Sequence, residues 1–390
     1  MGAYARERAA DHVASLALRG LDLRAFWDAS AEAVSGAVSH YMAPCWFTLD
    51  PASLLVTSHY DHGQIPELPA EWIAEEYYEG DVHDMAGVAR SARGVSTLHE
   101  ASGGDPSGSR RWQANMRYGG DQELLVALRT PAGQAWGVLG LYREPGRPRF
   151  GDDEVAFLRA LAPALAEGAR RGLLVGEAAD PDGPEAPGLV VLDEHWDVES
   201  LTPGAERWLA ELPDGDWEAR GKLPPSVLAV AGRALRTAEG QSAPGEVALA
   251  RVLSTAGRWI VLHGASLVTG GARRVAVIVE AAHPARITPL LMTAYGLTAR
   301  EQEVTRLVLC GHSTTEIADG LSVSPHTVQQ HLKSVFEKTG VRSRRELVGK
   351  VFFAHYEPRL RDNERRAALD RPLRGGPMAL ADPPGPRGSA

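Results

Sequence analysis

Lysine is almost missing from this chain. Among 390 residues it occurs four times, at Lys222, Lys333, Lys338 and Lys350. That scarcity excludes whole classes of function. A phosphate-binding P-loop needs Gly-Lys followed by Ser or Thr, and the two Gly-Lys pairs here run on into Leu223 and Val351. A phosphorylation receiver sets a lysine beside its phosphoacceptor aspartate, yet no lysine precedes Lys222. Cysteine is scarcer still. Cys45 and Cys310 cannot build a disulfide framework or, by themselves, a tetrahedral zinc site. No apolar run approaches the roughly 18 residues that a membrane span requires, so no membrane partner is expected. The first residues carry no apolar core followed by a small-residue cleavage site, so no signal peptide is expected either. A reducing cytoplasm is the expected compartment.

What is present is ordinary globular material. The hydrophobic share is 44% and the charged share 23%, enough for several cores. At roughly 100–200 residues per domain, the length suggests two to four domains. Residues 176–188 hold three prolines, three glycines and four acids, which reads as a linker. Residues 361–390 hold five prolines and four glycines without apolar periodicity, which reads as a disordered tail. A shorter junction at 283–296 leaves folded segments near 20–175, 189–282 and 290–357.

The first segment opens with a predicted helix from Leu23 to Ser39, with Phe26, Ala29, Ala33, Val34 and Ala37 at helical spacing. Strands are predicted at Cys45–Leu49 and Leu54–His59, then at Glu123–Arg129 and Ala135–Tyr142. A helix opened by Asp152, Asp153 and Glu154 closes the segment. This order, with phrases such as GVLGLYR, resembles a GAF sensory domain. The second segment begins LVVLDEHWDVESLTPGAERWL. It predicts a strand, a turn at Asp193–Asp197, a second strand, and a helix capped by Thr202 with Pro203 at its first position. Three strand-like runs follow at Val247–Ser254, Trp259–Leu267 and Arg274–Glu280. That pattern resembles a PAS domain, with a short Pro-rich middle that suggests a reduced one.

The third segment is written in helix start and stop signals. Thr298 with Glu301, Ser313 with Glu316 and Ser343 with Glu346 are capping boxes. Ser324 caps a further helix, with Pro325 in its first turn. Gly311 and Gly340 follow the first and third helices, where a left-handed residue favours glycine. In the third helix Val328, Leu332, Val335 and Phe336 form one apolar stripe. The opposite face carries Gln329, Gln330 and Lys333. Glutamine can pair bidentately with adenine, and lysine reaches guanine, in the major groove. Helix, the turn Ser322-Val323-Ser324, helix is a helix-turn-helix. Charge agrees: residues 324–350 hold six bases against two acids, in a chain with a net charge of −9.

LTAREQEV, GHSTTEIA, SVSPHTVQQHLKSVFEKTGV and SRREL together resemble the LuxR-type helix-turn-helix, the module also found in FixJ-type regulators. The resemblance implies a transcription regulator that binds double-stranded DNA as a homodimer, with RNA polymerase as a further partner. By position it puts base reading on Gln329, Gln330 and Lys333. It puts backbone contacts on Thr314, Thr315, Ser324, Thr327, Arg342, Ser343 and Arg344, and dimer packing on Val348, Val351 and Phe352. The family commonly has Asn-Lys where this chain has Thr314-Thr315, so one charge is missing.

The expected fold class is therefore multidomain. It comprises an α+β GAF-like sensor at 1–175, the linker at 176–188, an α+β PAS-like domain at 189–282, an all-α four-helix module at 290–357 and the tail at 361–390. His59, Asp61, His62, His83 and Asp84 show no ligand spacing, so neither a metal nor another cofactor is expected. Cys45 and Cys310 are expected to pack as small hydrophobes. Trp112 and Tyr118 fall in the long middle loop, where a GAF-like fold often covers its ligand; surface packing is the simpler reading. No Ser-His or Cys-His catalytic set can be assembled, so no enzyme is expected. The function this implies is a DNA-binding regulator controlled by a small-molecule effector in its front half. The alternative keeps the DNA reader and makes the front half a dimerisation or docking module without a ligand.

Overall fold

The computed structural model describes residues 3–62, 70–174, 187–267, 273–282, 284–355 and Ala368. The first module runs α1 (Ala3–Ala17), α2 (Leu23–Ser35), β1 (Cys45–Leu49), β2 (Val56–Tyr60), α3 (Ala70–Tyr78), α4 (Met85–Arg90) and β3 (Val95–Thr97). It continues with α5 (Leu98–Ala101), α6 (Arg110–Met116), β4 (Gln122–Arg129), β5 (Ala135–Arg143) and α7 (Asp152–Gly172). Its five strands form one antiparallel sheet in the order β2-β1-β5-β4-β3. All nine residues of β5 are buried, because both faces of the sheet are covered. At Gly137 a Cβ would stand 2.4 Å from the Phe47 carbonyl oxygen, so glycine lets β5 close on β1. On one face lie α1, α2 and α7, where the Trp27 and Trp46 rings stack at 4.5 Å. Helix α1 was not expected. Its apolar stripe is built from Ala9, Val13, Leu16 and Ala17, and alanine gives a weak periodic signal. The helix expected to reach Ser39 stops at Ser35, capped by Gly36.

The second module runs β6 (Gly188–Leu192), β7 (Val198–Leu201), α8 (Ala205–Glu211), α9 (Trp217–Arg220), α10 (Pro225–Ala238), β8 (Leu249–Leu253), β9 (Trp259–Leu267) and β10 (Arg274–Ala281). Its sheet order is β7-β6-β10-β9-β8, the order of the first sheet when each is counted from its own first strand. Thr202 does not cap α8. Its hydroxyl accepts from the Leu189 backbone N–H at 2.9 Å, and the helix starts after Gly204. The supposedly reduced middle contains α10, buried continuously from Pro225 to Leu235. Its N-cap is Pro224, which offers no side-chain acceptor, so the capping signal that marks the C-terminal helices is absent.

Helix α10 also joins the two modules. It packs on α3 so closely that a Cβ at Gly232 would meet the Ala74 carbonyl oxygen at 2.1 Å. One continuous core results, running from Phe47 and Tyr77 through Val230 to Val277. A buried ion pair crosses the same seam. Arg251 on β8 grips Asp50 at the end of β1, with Nε at 2.8 Å and Nη2 at 2.6 Å. The expected linker lies outside the described residues except for Pro187 and Gly188, and the tail lies outside them except for Ala368. The junction near 283–296 is largely a helix, α11 (Pro284–Ala294), followed by α12 (Ala299–Leu309), α13 (Thr314–Leu321), α14 (Pro325–Thr339) and α15 (Arg344–His355).

Candidate nucleic-acid interface

The C-terminal helices are started by their own side chains. Thr298 accepts from the Glu301 N–H while the Glu301 carboxylate accepts from the Thr298 N–H at 2.7 Å; Ser313 and Glu316 repeat the exchange. Each box satisfies two backbone donors that a helix start leaves orphaned. At the third box Ser343 accepts from the Glu346 N–H, but Glu346 reaches back one residue further, to the Arg342 N–H at 2.8 Å. Gly340 caps α14 in the left-handed region at φ +68, as does Gly311 after α12 at φ +89.

Val328, Leu332 and Val335 of α14 are buried against Val304, Val308, Ile317 and Ala318. Burying that stripe forces the opposite face outward, and Gln329, Gln330 and Lys333 are all exposed. Gln330 lies within 3.1 Å of the His326 ring, one turn back on the same face. Ser324 caps the helix, accepting from the Thr327 N–H at 3.1 Å, and its hydroxyl meets that of Thr327 at 2.9 Å. Thr314 and Thr315 form the first turn of α13, with Thr315 exposed and Thr314 half-buried. Arg342 is exposed, while Ser343 and Arg344 are half-buried at the start of α15. Arg344 donates to the His312 carbonyl, so it also ties α15 to the turn before α13. Val348 stands 36% exposed; the side chains of Val351 and Phe352 lie outside the described residues.

Three features escaped the sequence reading. Glu301 does more than cap α12. Its carboxylate takes Lys338 Nζ and the Ser334 hydroxyl, each at 2.6 Å, and so bolts α14 onto α12. Burial would raise its pKa, but the bonds from Lys338, Ser334 and the Thr298 N–H outweigh burial and hold it at about 2. Arg300 donates to the Leu321 carbonyl at 2.8 Å, bracing the turn that precedes α14. Helix α11 faces two ways. Leu290 and Ala294 are buried with α1, α2 and α7, whereas Met292 and the following Leu297 are buried in the α12–α15 core. Spacing of two and four residues gave no cue to which face met which module.

The other singled-out residues fall elsewhere. His83 is buried, 3.3 Å from Glu123 and 3.1 Å from the Ser96 carbonyl oxygen. Arg111 shares that Glu123 at 2.5 Å. Asp84 caps α4, accepting from the Gly87 N–H at 2.6 Å. His62 lies 3.1 Å from Asp28. Among the described residues no group of three or more His, Cys, Asp or Glu could hold a metal ion. Cys45 is buried, and burial drives its thiol pKa up. Cys310 is exposed and not packed as expected; it is the C-cap of α12, with its side chain open to solvent. Trp112 lies on α6, where its indole N–H donates to Asp121 at 3.0 Å.

The sequence pattern of the bacterial regulatory proteins, luxR family, matches residues 296–351, the stretch from the end of α11 into α15. The spore germination protein GerE of Bacillus subtilis is 40% identical over 52 residues, 13% of this chain and 70% of GerE. The chain belongs to the luxR family of bacterial regulatory proteins. The chain is also 43% identical over 55 residues to the probable transcriptional regulatory protein NarL of Mycobacterium tuberculosis, covering 14% of this chain and 26% of that protein. It is 52% identical over 52 residues to the putative HTH-type transcriptional regulator Mb0914c of Mycobacterium bovis. There the match covers 13% of this chain and 6% of the relative, so the chain spans a small fraction of that protein's length. Each of the three likenesses covers 13–14% of this chain, and the family match at 296–351 leaves the two front modules outside it.

Proposed function

We propose that this LuxR-family chain reads double-stranded DNA with α14 as a homodimer, under the control of a small molecule held in its front half. The observation that carries the reading is the outward face of α14. Gln329, Gln330 and Lys333 are exposed opposite a buried stripe, within the segment that matches the family. In the major groove Gln330 and Gln329 meet adenine edges and Lys333 meets guanine. Ser324, Thr327, Thr314, Thr315, Arg342, Ser343 and Arg344 bond phosphates, fixing register without reading sequence. Helix α15 pairs the two heads through Val348, Val351 and Phe352, and RNA polymerase is the downstream partner.

The front half is read as a GAF-like sensor fused to a PAS-like coupler. Two α+β modules with one strand order and one shared core support this, as does α11, which is packed into both the first module and the reading head. A change of packing around Leu290 and Ala294 shifts the population of head spacings, and one spacing fits two half-sites about 34–36 Å apart. The test is selection of bound duplexes from a random library by the full chain. Enrichment of paired half-sites one helical turn apart is the expected result; no enriched sequence at low salt would overturn the reading.

A further inference from the structure

A cavity of about 340 Å³ opens where the two front modules meet. β2 supplies His59 and α3 supplies Ile73; the second module supplies Trp196, Asp214, Trp217 and Lys222. The composition of this wall is unusual in four respects. First, Lys222 is the chain's one lysine before Lys333, and among the described residues no ion pair engages its ammonium. Second, the His59 Nε2 is buried without a hydrogen-bond partner, although the His59 backbone N–H donates to Asp214 at 2.7 Å. Its ring lies against Phe47 at 4.4 Å, and burial pushes its pKa down to about 4, which leaves the imidazole neutral. His59 lines the cavity, and its buried Nε2 without a partner is a group that a small turn of the ring would let a ligand satisfy. Third, Trp196 and Asp214 are two of five non-glycine residues at positive φ among the described residues, at +66 and +61. Strain of that kind persists where the surroundings hold it and gathers at ligand clamps. Fourth, two indoles, Trp196 and Trp217, stand beside the apolar Ile73, Leu223 and Leu228.

From this juxtaposition we infer that the cavity binds a small zwitterion with a flat apolar body, an aromatic α-amino acid. Lys222 takes the carboxylate and Asp214 the ammonium. The His59 ring closes the wall beside them, and a small turn of it brings Nε2 into reach; the ligand's own ring lies against the indoles. Both signs of charge on one wall decide the class. Asp197 and Asp214 repel a simple carboxylate, whereas Lys222 repels a simple amine. Burial raises the Asp214 carboxyl to about 6, opposed by the bond from His59 and the charge of Lys222, so it is still ionised at neutral pH and able to hold the ligand ammonium. The site rests on the proposed ligand control of the front half and gives that control a location. It lies on the seam that α3 and α10 form, so a ligand there bears on how the modules are fused.

The experiment is titration of the full chain with L-tryptophan and L-phenylalanine by calorimetry, with 3-phenylpropionate and phenethylamine as probes lacking one charge each. Saturable binding of an amino acid, with both single-charge probes at least tenfold weaker, is expected. Lys222→Met should weaken the amino acid tenfold or more while tightening phenethylamine, which it no longer repels, and Asp214→Asn should weaken the amino acid likewise while tightening 3-phenylpropionate. Asparagine tolerates the left-handed backbone at position 214, so that variant keeps the fold. Absence of saturable binding at millimolar amino acid, or binding indifferent to both substitutions, overturns the site. DNA selection is run on the same preparations: intact DNA binding with no amino-acid binding rejects this cavity and leaves the regulator standing.

Discussion

Glu301→Ala should loosen the reading helix without touching its outer face. The wild-type carboxylate caps α12 through the Thr298 N–H at 2.7 Å and holds Ser334 and Lys338 of α14 at 2.6 Å each. Its folded pKa of about 2 lies below the ordinary value of 4.5. At about 1.36 kcal/mol per pKa unit the shift sets an upper bound of about 3 kcal/mol, which solvent screening around the partly exposed Lys338 reduces to about 1–2 for the ionised over the neutral carboxyl. Because the folded pKa is depressed, that contribution is fully present above about pH 4.5 and is lost as pH falls towards 2. Glu301→Gln separates the parts. Glutamine still completes a capping box, and Lys338 is one-third exposed, so its lost ion pair alone is worth less than about 1 kcal/mol. The expected order is about 3 kcal/mol for alanine and about 1–2 for glutamine, the latter from charge-assisted hydrogen bonds made neutral. Tryptophan fluorescence cannot report this, since all nine tryptophans precede α11. Native-state hydrogen exchange of α12–α14 can: Glu301→Ala should speed the protected amides about a hundredfold. Unchanged exchange in α14 would refute the claim that Glu301 fastens it.

Leu332→Ala should cost about 2–5 kcal/mol by opening a cavity in the same core, and should weaken binding to every DNA sequence alike. Asp50→Ala strands Arg251 in a buried seam and should cost about 3–5 kcal/mol, read by thermal unfolding; Asp50→Ala with Arg251→Met should recover part of it. Arg342→Ala should reduce the salt slope of DNA affinity by about 0.9 without altering base preference. Arg342 serves better than Arg344 here, because Arg344 also holds the His312 carbonyl.

Legibility followed how locally each element is encoded. The α12–α14 starts are written in contiguous capping residues, and Thr298, Ser313 and Ser324 all cap as read. β1 was read residue for residue, because CWFTL is bounded by a proline on either side within two residues. Helix α1 is too rich in alanine to show a period, and α10 starts after Pro224 without a side-chain cap to mark it. The cap assigned to Thr202 failed because its hydroxyl found a partner across the sheet, at Leu189. Long-range pairs such as Asp50 with Arg251 and Glu301 with Lys338 leave no trace in spacing. The outward face of α14 was legible, since its apolar stripe fixes what must point away. The cavity wall was not: His59, Asp214 and Lys222 come together only when α10 packs on α3.

Base preference of the Gln330→Ala variant tests the central claim most directly. Full-length wild type and variant are each bound to a library of duplexes at two salt concentrations. Reading by α14 predicts a loss of about 1–3 kcal/mol on the selected operator and relaxed preference at one base pair, with the salt slope unchanged. An unaltered preference at every position, from a variant that remains folded, would contradict it.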